Sequence, residues 1–209
     1  MRFRAGRGRL VHGDAFHRRT SRASEPGRPR RAAHDLGIAG LLGGNLFARL
    51  ALHPSVTEIS DRAERGKVVN AAWRRYGAVN SLGLLAILAG WAGARADEAS
   101  DRRLSPEERR LARAKDVLVG VIAVSGVASG VQGMLFAAKA PGGAVPLSDG
   151  DHTAPDASAS ARRAKRRLNL LGTTSLLAEA GLVAVNAALD QRAFRRPPAR
   201  RFVPRFGRV

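Results

Sequence analysis

Residues 117–138 read VLVGVIAVSGVASGVQGMLFAA, with no charged side chain. At 1.5 Å of rise per residue, a helix of that length covers the roughly 30 Å of a bilayer's hydrocarbon core. A helix on the surface of a water-soluble domain would carry a charged face over such a length. A second uncharged stretch, YGAVNSLGLLAILAGWAGA, fills 76–94. These two segments decide the class, an all-α integral membrane protein. Two weaker segments flank them. Residues 36–52, LGIAGLLGGNLFARLAL, include Asn45 and Arg49, and residues 168–189 include Asn169, Glu179 and Asn186. Beside two strong spans they read as spans one and four. The expected fold is a four-helix antiparallel bundle over 33–190, between disordered Arg-rich tails at 1–32 and 191–209. No internal repeat or strand pattern is found.

The chain has 209 residues and a net charge of +19, from 36 Lys+Arg against 17 Asp+Glu. It has no cysteine, which excludes disulfides, thiolate metal sites and a cysteine nucleophile. An excess of this size attracts polyanions, nucleic acid or anionic lipid. The charge sits in the tails and loops. Residues 1–31 hold ten arginines and 191–209 hold seven, while loop 95–115 holds seven Lys/Arg. The remaining loops hold five in 53–75 and six in 139–167. The positive-inside rule then places both termini in the cytoplasm. Nearly all the positive charge is Arg, and with so much Ala and Gly that bias suggests a GC-rich bacterial genome, so the expected membrane is the bacterial plasma membrane. The run RRAKRR at 162–167 opposes that orientation, because it lies on the other side. The first 30 residues lack the apolar core of a secretory signal.

The joints between spans carry their own signals. Ser105, Pro106 and Glu108 spell a capping box, starting a helix near residue 106. Asp61 with Glu64 suggests a similar start. Trp73 and Tyr76, flanking Arg74 and Arg75, read as an interfacial anchor. PGGAVPLSDGDHTAPDASAS, 141–160, reads as a flexible loop. Two ridges of small residues predict close helix packing: Gly37, Gly40 and Gly44 in span one, and Gly126, Gly130 and Gly133 in span three.

One carboxylate, Glu179, lies midway along an apolar run, where lipid cannot solvate it. At 100° per residue, Gly172, Ser175, Glu179 and Asn186 fall within about 60° of one another. That polar stripe must face the bundle. Span one answers with His34, Asn45 and Arg49, span two with Asn80, and span three with Ser125, Ser129 and Gln132. From the helical rise, Asn45 and Glu179 lie roughly 15 Å deep, and Arg49, Asn80 and Gln132 roughly 20 Å deep. The candidate cluster is therefore Asn45, Arg49, Asn80, Ser129, Gln132, Ser175 and Glu179. Its simplest form is a latch in which Arg49 pairs with Glu179 and the amides satisfy what is left. The alternative is a small polar pocket for a cation, a proton relay or a headgroup.

No H-E-x-x-H, EF-hand, P-loop or G-x-S-x-G motif occurs. His34 and His53 lie at opposite ends of one helix and cannot face each other across an iron. No metal, cofactor or catalytic residue is therefore assigned, and the chain reads as non-enzymatic. HDLGIAGLLGGNLFARLALHPSV (34–56) and AWRRYGAVNSLGLLAILAGW (72–91) resemble the first two spans of uncharacterised actinobacterial four-span proteins. More loosely, the paired glycines, the following Phe and the Pro past the span are similar to anthrone-oxygenase-like and copper-resistance-D-like membrane families. The copper type implies His or Met within the spans, and here there is only Met134 with histidines near the ends. The reading favours a structural or complex-associated membrane protein with a buried polar cluster. An ion-coupled transporter or a membrane oxidoreductase using a pocket around Glu179 is the alternative. Expected partners are the bilayer, anionic lipid at the basic tails, and a protein partner or second copy. Nucleic acid is not expected.

Overall fold

A computed structural model describes residues 27–97 and 99–195, and they are mostly helical, with one long connection between Ala137 and Ala159. The expectations for the tails lie outside these residues except at 27–32 and 191–195, where the expected disorder is corrected: both stretches are helical, as the first turns of α1 and the last of α5. Helix α1, Gly27–Phe47, runs on through a π-helical turn, Ala48–Leu52, into the short α2, His53–Ser55, and a 3₁₀ turn, Val56–Glu58. Then come α3, Arg62–Ala96, α4, Pro106–Ala137, and α5, Ala159–Arg195. Four segments are long and apolar enough to cross a membrane: Pro29–Glu58, Arg62–Ala96, Pro106–Ala137 and Ala159–Arg192.

Local sequence sets the helix starts. Asp61 accepts from the backbone N–H groups of Ala63 and Glu64, at 2.7 and 3.0 Å, and opens α3. Ser105 and Glu108 form the reciprocal box that opens α4, with contacts of 2.9 and 3.3 Å. The π turn traces to Pro54. It has no N–H to donate to Leu50, and its ring would collide with the Leu50 carbonyl in a regular helix. The preceding turn widens instead, and the His53 N–H reaches back five residues to the Ala48 carbonyl.

The helices associate most closely as successive pairs, α1 with α3 and α4 with α5. The span-one glycines are what let α1 approach α3. A Cβ on Gly37 would meet the Gly83 carbonyl at 2.6 Å, and one on Gly44 would meet the Tyr76 ring at 2.2 Å. The span-three ridge behaves otherwise. Gly126 faces Leu84, but Gly130 and Gly133 have nothing within 4 Å among the described residues. One core joins Ile38, Leu41, Ile87, Trp91, Val119, Ile122, Ala178 and Leu182. A second gathers Val56, Val69, Phe136, Val145, Leu147 and Ala164 at one end.

One expectation is corrected at that end and another is filled out. Trp73 and Tyr76, expected as an interfacial anchor, are half-buried and also pack inward. Trp73 packs against the second core and lies edge-on to His53 and Tyr76, and the Tyr76 hydroxyl donates to the Gly40 carbonyl at 2.6 Å. Aromatic rings with one polar tip satisfy that tip when buried, and a bare helix carbonyl beside a glycine is such a partner. The corrected one is the flexible loop: 141–160 is a folded cap. Val145, Leu147 and Ala154 are fully buried, the Leu147 N–H donates to the Arg62 carbonyl at 3.0 Å, and Asn70 donates to the Gly143 carbonyl at 2.7 Å. The glycines seen as flexibility serve a tight turn, where Gly142 and Gly143 take φ of 62° and 75°. Arg65 forks onto the carbonyls of Ile59, Thr57 and Ser148, tying the cap to the start of α3.

Candidate functional site

Glu179 is wholly buried. Asn45, in the last turn of α1 before the π segment, donates through Nδ2 to both carboxyl oxygens, each at 2.9 Å. Ser175, one turn back on α5, donates to Oε1 at 2.8 Å. A carboxylate has about four acceptor positions, and neutral donors occupy three here. The common depth expected for Asn45 and Glu179 fits this contact. Ser175 and Glu179 share a face because they are four residues apart.

Arg49 does not join them. No Arg49–Glu179 ion pair forms among the described residues. Its Nη2 donates instead to the Asn169 carbonyl at 3.2 Å and to the Thr173 hydroxyl. That hydroxyl donates in turn to the same carbonyl at 2.8 Å. Thr173 precedes Glu179 by six residues, about 9 Å along the helix. The expected Arg49–Glu179 latch is therefore corrected. The widened turn carries Arg49 toward the cap end of α5, where a helix carbonyl and a hydroxyl take its charge.

The other members of the expected cluster lie apart. Asn80 is half-buried and makes no side-chain hydrogen bond among the described residues. The Ser129 hydroxyl is buried without a partner among the described residues. Ser125 turns back to the Val121 carbonyl at 2.7 Å. Gln132 lines a groove at the cap end and is not beside Glu179. Three of seven expected residues thus meet: Asn45, Ser175 and Glu179. Amide and hydroxyl side chains spaced along a helix do not reveal whether they face a neighbour or their own backbone, so stripes drawn on ideal wheels overcount.

Sequence reasoning missed a second polar system, at the cap. His53 Nδ1 lies 3.0 Å from Asp151 Oδ1. The Asp151 carbonyl accepts from Asn169 at 2.7 Å, and the Gly150 N–H donates to the His53 carbonyl at 3.0 Å. Lys165, buried at the start of α5, donates to the Gly150 carbonyl. The hydrogen bond from His53 holds the Asp151 carboxyl below its ordinary value, against the opposing effect of burial. Beside this pair, Asp149 accepts from the N–H groups of Asp151 and His152, at 2.6 and 2.8 Å. A cleft of about 340 Å³ is lined by His53, Pro54, Thr57, Asp149, Asp151 and His152. The available signal was S-D-G-D-H at 148–152, an Asx-turn composition facing a histidine before a proline. Among the described residues no three His, Asp or Glu side chains are placed to hold a metal ion. No family model, curated protein or solved structure matches the chain.

Proposed function

We propose that the chain is a four-span antiparallel bundle of the bacterial plasma membrane, non-enzymatic and structural or complex-associated, with both termini cytoplasmic. The observation that carries this reading is an inverted polarity. Leu36, Leu50, Leu82, Val124, Met134, Leu170 and Leu177 are exposed along the four long helices, while the one mid-span carboxylate is fully buried on Asn45 and Ser175. Such surfaces suit hydrocarbon and would aggregate in water. The direction of the helices is supported by contact numbering. Gly37 meets Gly83, Gly44 meets Tyr76, and Gly90 meets His34, so advance along α1 is retreat along α3.

A latch is favoured over a pocket at Glu179. Its donors are neutral and already placed, and neither of the two clefts described includes it. Its part is to set the register of α1 against α5. The Arg-rich tails would hold anionic lipid at about 1 kcal/mol per cation near the surface. Exposed apolar faces leave room for a protein partner or a second copy. Carbonate washing of membranes should leave the protein in the pellet, and reporters fused to either terminus should both report cytoplasm. Release by carbonate would refute insertion, and an external C-terminus would refute the span count.

A further inference from the structure

The cap end carries a feature that neither latch nor tails explain. Between the end of α4 and the start of α5 lies a groove of about 250 Å³. Its lining includes Gln132, Leu135, Lys139, Ser160, Arg163 and Arg167. Three cations meet there, and no acidic side chain is in the lining. Arg163 and Arg167 are four residues apart, so they are neighbours on one face and repel. Lys139, Arg163 and Arg167 are exposed and make no side-chain hydrogen bond or ion pair among the described residues.

Two of their neighbours in RRAKRR are committed elsewhere. Arg162 donates to the carbonyls of Pro155 and Ala157, and Lys165 donates to Gly150. The run that opposes the charge-based orientation therefore has two uses. Part of it staples the cap, and Arg163 and Arg167 are left facing the groove. Toward mid-helix, Val131 and Leu135 on α4 and Leu170 and Leu177 on α5 are exposed at 48%, 54%, 69% and 68%. Spacings of three, four and seven keep each set near the line of the groove. Cations above an apolar track match an amphiphile with an anionic head. Guanidinium pairs bind phosphate oxygens by paired N–H groups, and the Gln132 amide and Ser160 hydroxyl suit the ester and glycerol oxygens.

We propose that this groove binds the phosphate headgroup of an anionic phospholipid, with the acyl chains lying along the exposed ridge of α4 and α5. The proposal rests on the membrane reading above, and it places a built site at the end opposite the tails. The test uses the full chain in neutral detergent, titrated with phosphatidylglycerol, phosphatidylcholine or inorganic phosphate, with bound lipid counted by native mass spectrometry. One phosphatidylglycerol should bind more tightly than the rest. Each groove cation should contribute about fivefold, so Arg167→Gln weakens binding about fivefold and Arg163→Gln with Arg167→Gln about 25-fold. Lys139→Gln gives an independent fivefold loss from the other side of the groove, just past the end of α4.

Arg166→Gln is the control. It removes the same charge at nearly the same depth but from a position 100° away, and its effect should stay under about twofold. Equal losses from Arg166→Gln and Arg167→Gln would overturn the proposal in favour of diffuse attraction. Equal binding of phosphatidylcholine would overturn it by leaving only the apolar track. Displacement by inorganic phosphate at matched concentration would overturn the lipid assignment and leave a site for a soluble anion. Release of the protein by carbonate would sink the membrane reading whatever the titration gives. Retention with indifference to Arg167 would sink the groove alone.

Discussion

Replacing Asn45 with leucine isolates the question of what holds a carboxylate inside the bundle. The substitution keeps the volume close and removes the amide nitrogen that touches both Glu179 oxygens at 2.9 Å. Hydrogen bonds to charged groups contribute about 1.5–3 kcal/mol each, and a buried acceptor left bare costs more than the bond it lost. Two contacts from one nitrogen count as less than two independent bonds. The expected loss is therefore about 3 kcal/mol. For a chain of this size that is a fall of about 6–12 °C in Tm. Glu179→Leu should cost less, about 1–2 kcal/mol, because Asn45 is only half-buried and the Ser175 hydroxyl can turn back to the carbonyl one turn earlier on its own helix, as Ser125 does. The double variant Asn45→Leu with Glu179→Leu should return to within about 1 kcal/mol of the parent, since no orphan remains. Thermal unfolding in detergent, followed by the fluorescence of Trp73 and Trp91, reads all four corners of the cycle. An Asn45→Leu loss under about 0.5 kcal/mol, or a double variant that falls by the sum of the singles, would refute the latch.

Arg49→Leu should lower stability by about 1–3 kcal/mol but show under about 0.5 kcal/mol of coupling to Glu179→Leu, as the two share no partner; strong coupling in the same cycle would restore the direct pair. Gly66→Ala should be severe, at least about 3 kcal/mol, because its Cβ would meet the Val145 carbonyl at 2.1 Å, and proteolysis within the cap is a direct readout. Ser105→Ala should cost about 1 kcal/mol by removing one half of the capping box at the start of α4, measured as a shift in Tm. Asp151→Asn should cost about 1 kcal/mol at neutral pH, the carboxyl being partly screened by water. Because the folded pKa of Asp151 is depressed, its contribution is present above the unfolded value near 4 and is lost as pH falls through the folded one. The gap between parent and variant should accordingly close below about pH 4, and a gap that widens there would contradict the His53 contact.

Most of the architecture was legible because bilayer length and charge-free composition are properties of single segments. The four helices, both N-terminal caps and the span-one glycine ridge depend on residues within a few positions of one another. The candidate site was legible only where depth and face coincided, at Asn45, Ser175 and Glu179. Arg49 went astray because a single proline four residues beyond a carbonyl changes the turn that aims it, and an ideal wheel has no place for such a turn. The cap was hidden for a different reason. Its glycines, aspartates and prolines are the composition of a loose loop as well as of a tight one. What fixes it are distant partners, Arg65, Asn70 and Lys165, whose polar side chains read as surface.

The cap draws on four places in the chain: the end of α1 through His53, the start of α3 through Arg65, its own backbone, and the start of α5 through Lys165 and Asn169. During synthesis the last of these emerges more than a hundred residues after the first. The first helix pair can settle early on its own glycines, whereas the cap has no complete set of donors until α5 has begun. Closure of that end is thus a terminal event in biogenesis, a checkpoint reached only when both helix pairs stand side by side. Two polypeptides divided in the turn between α3 and α4 would each carry one helix pair, and the cap, with the Asn45–Glu179 contact, would be the clasp by which the halves find each other.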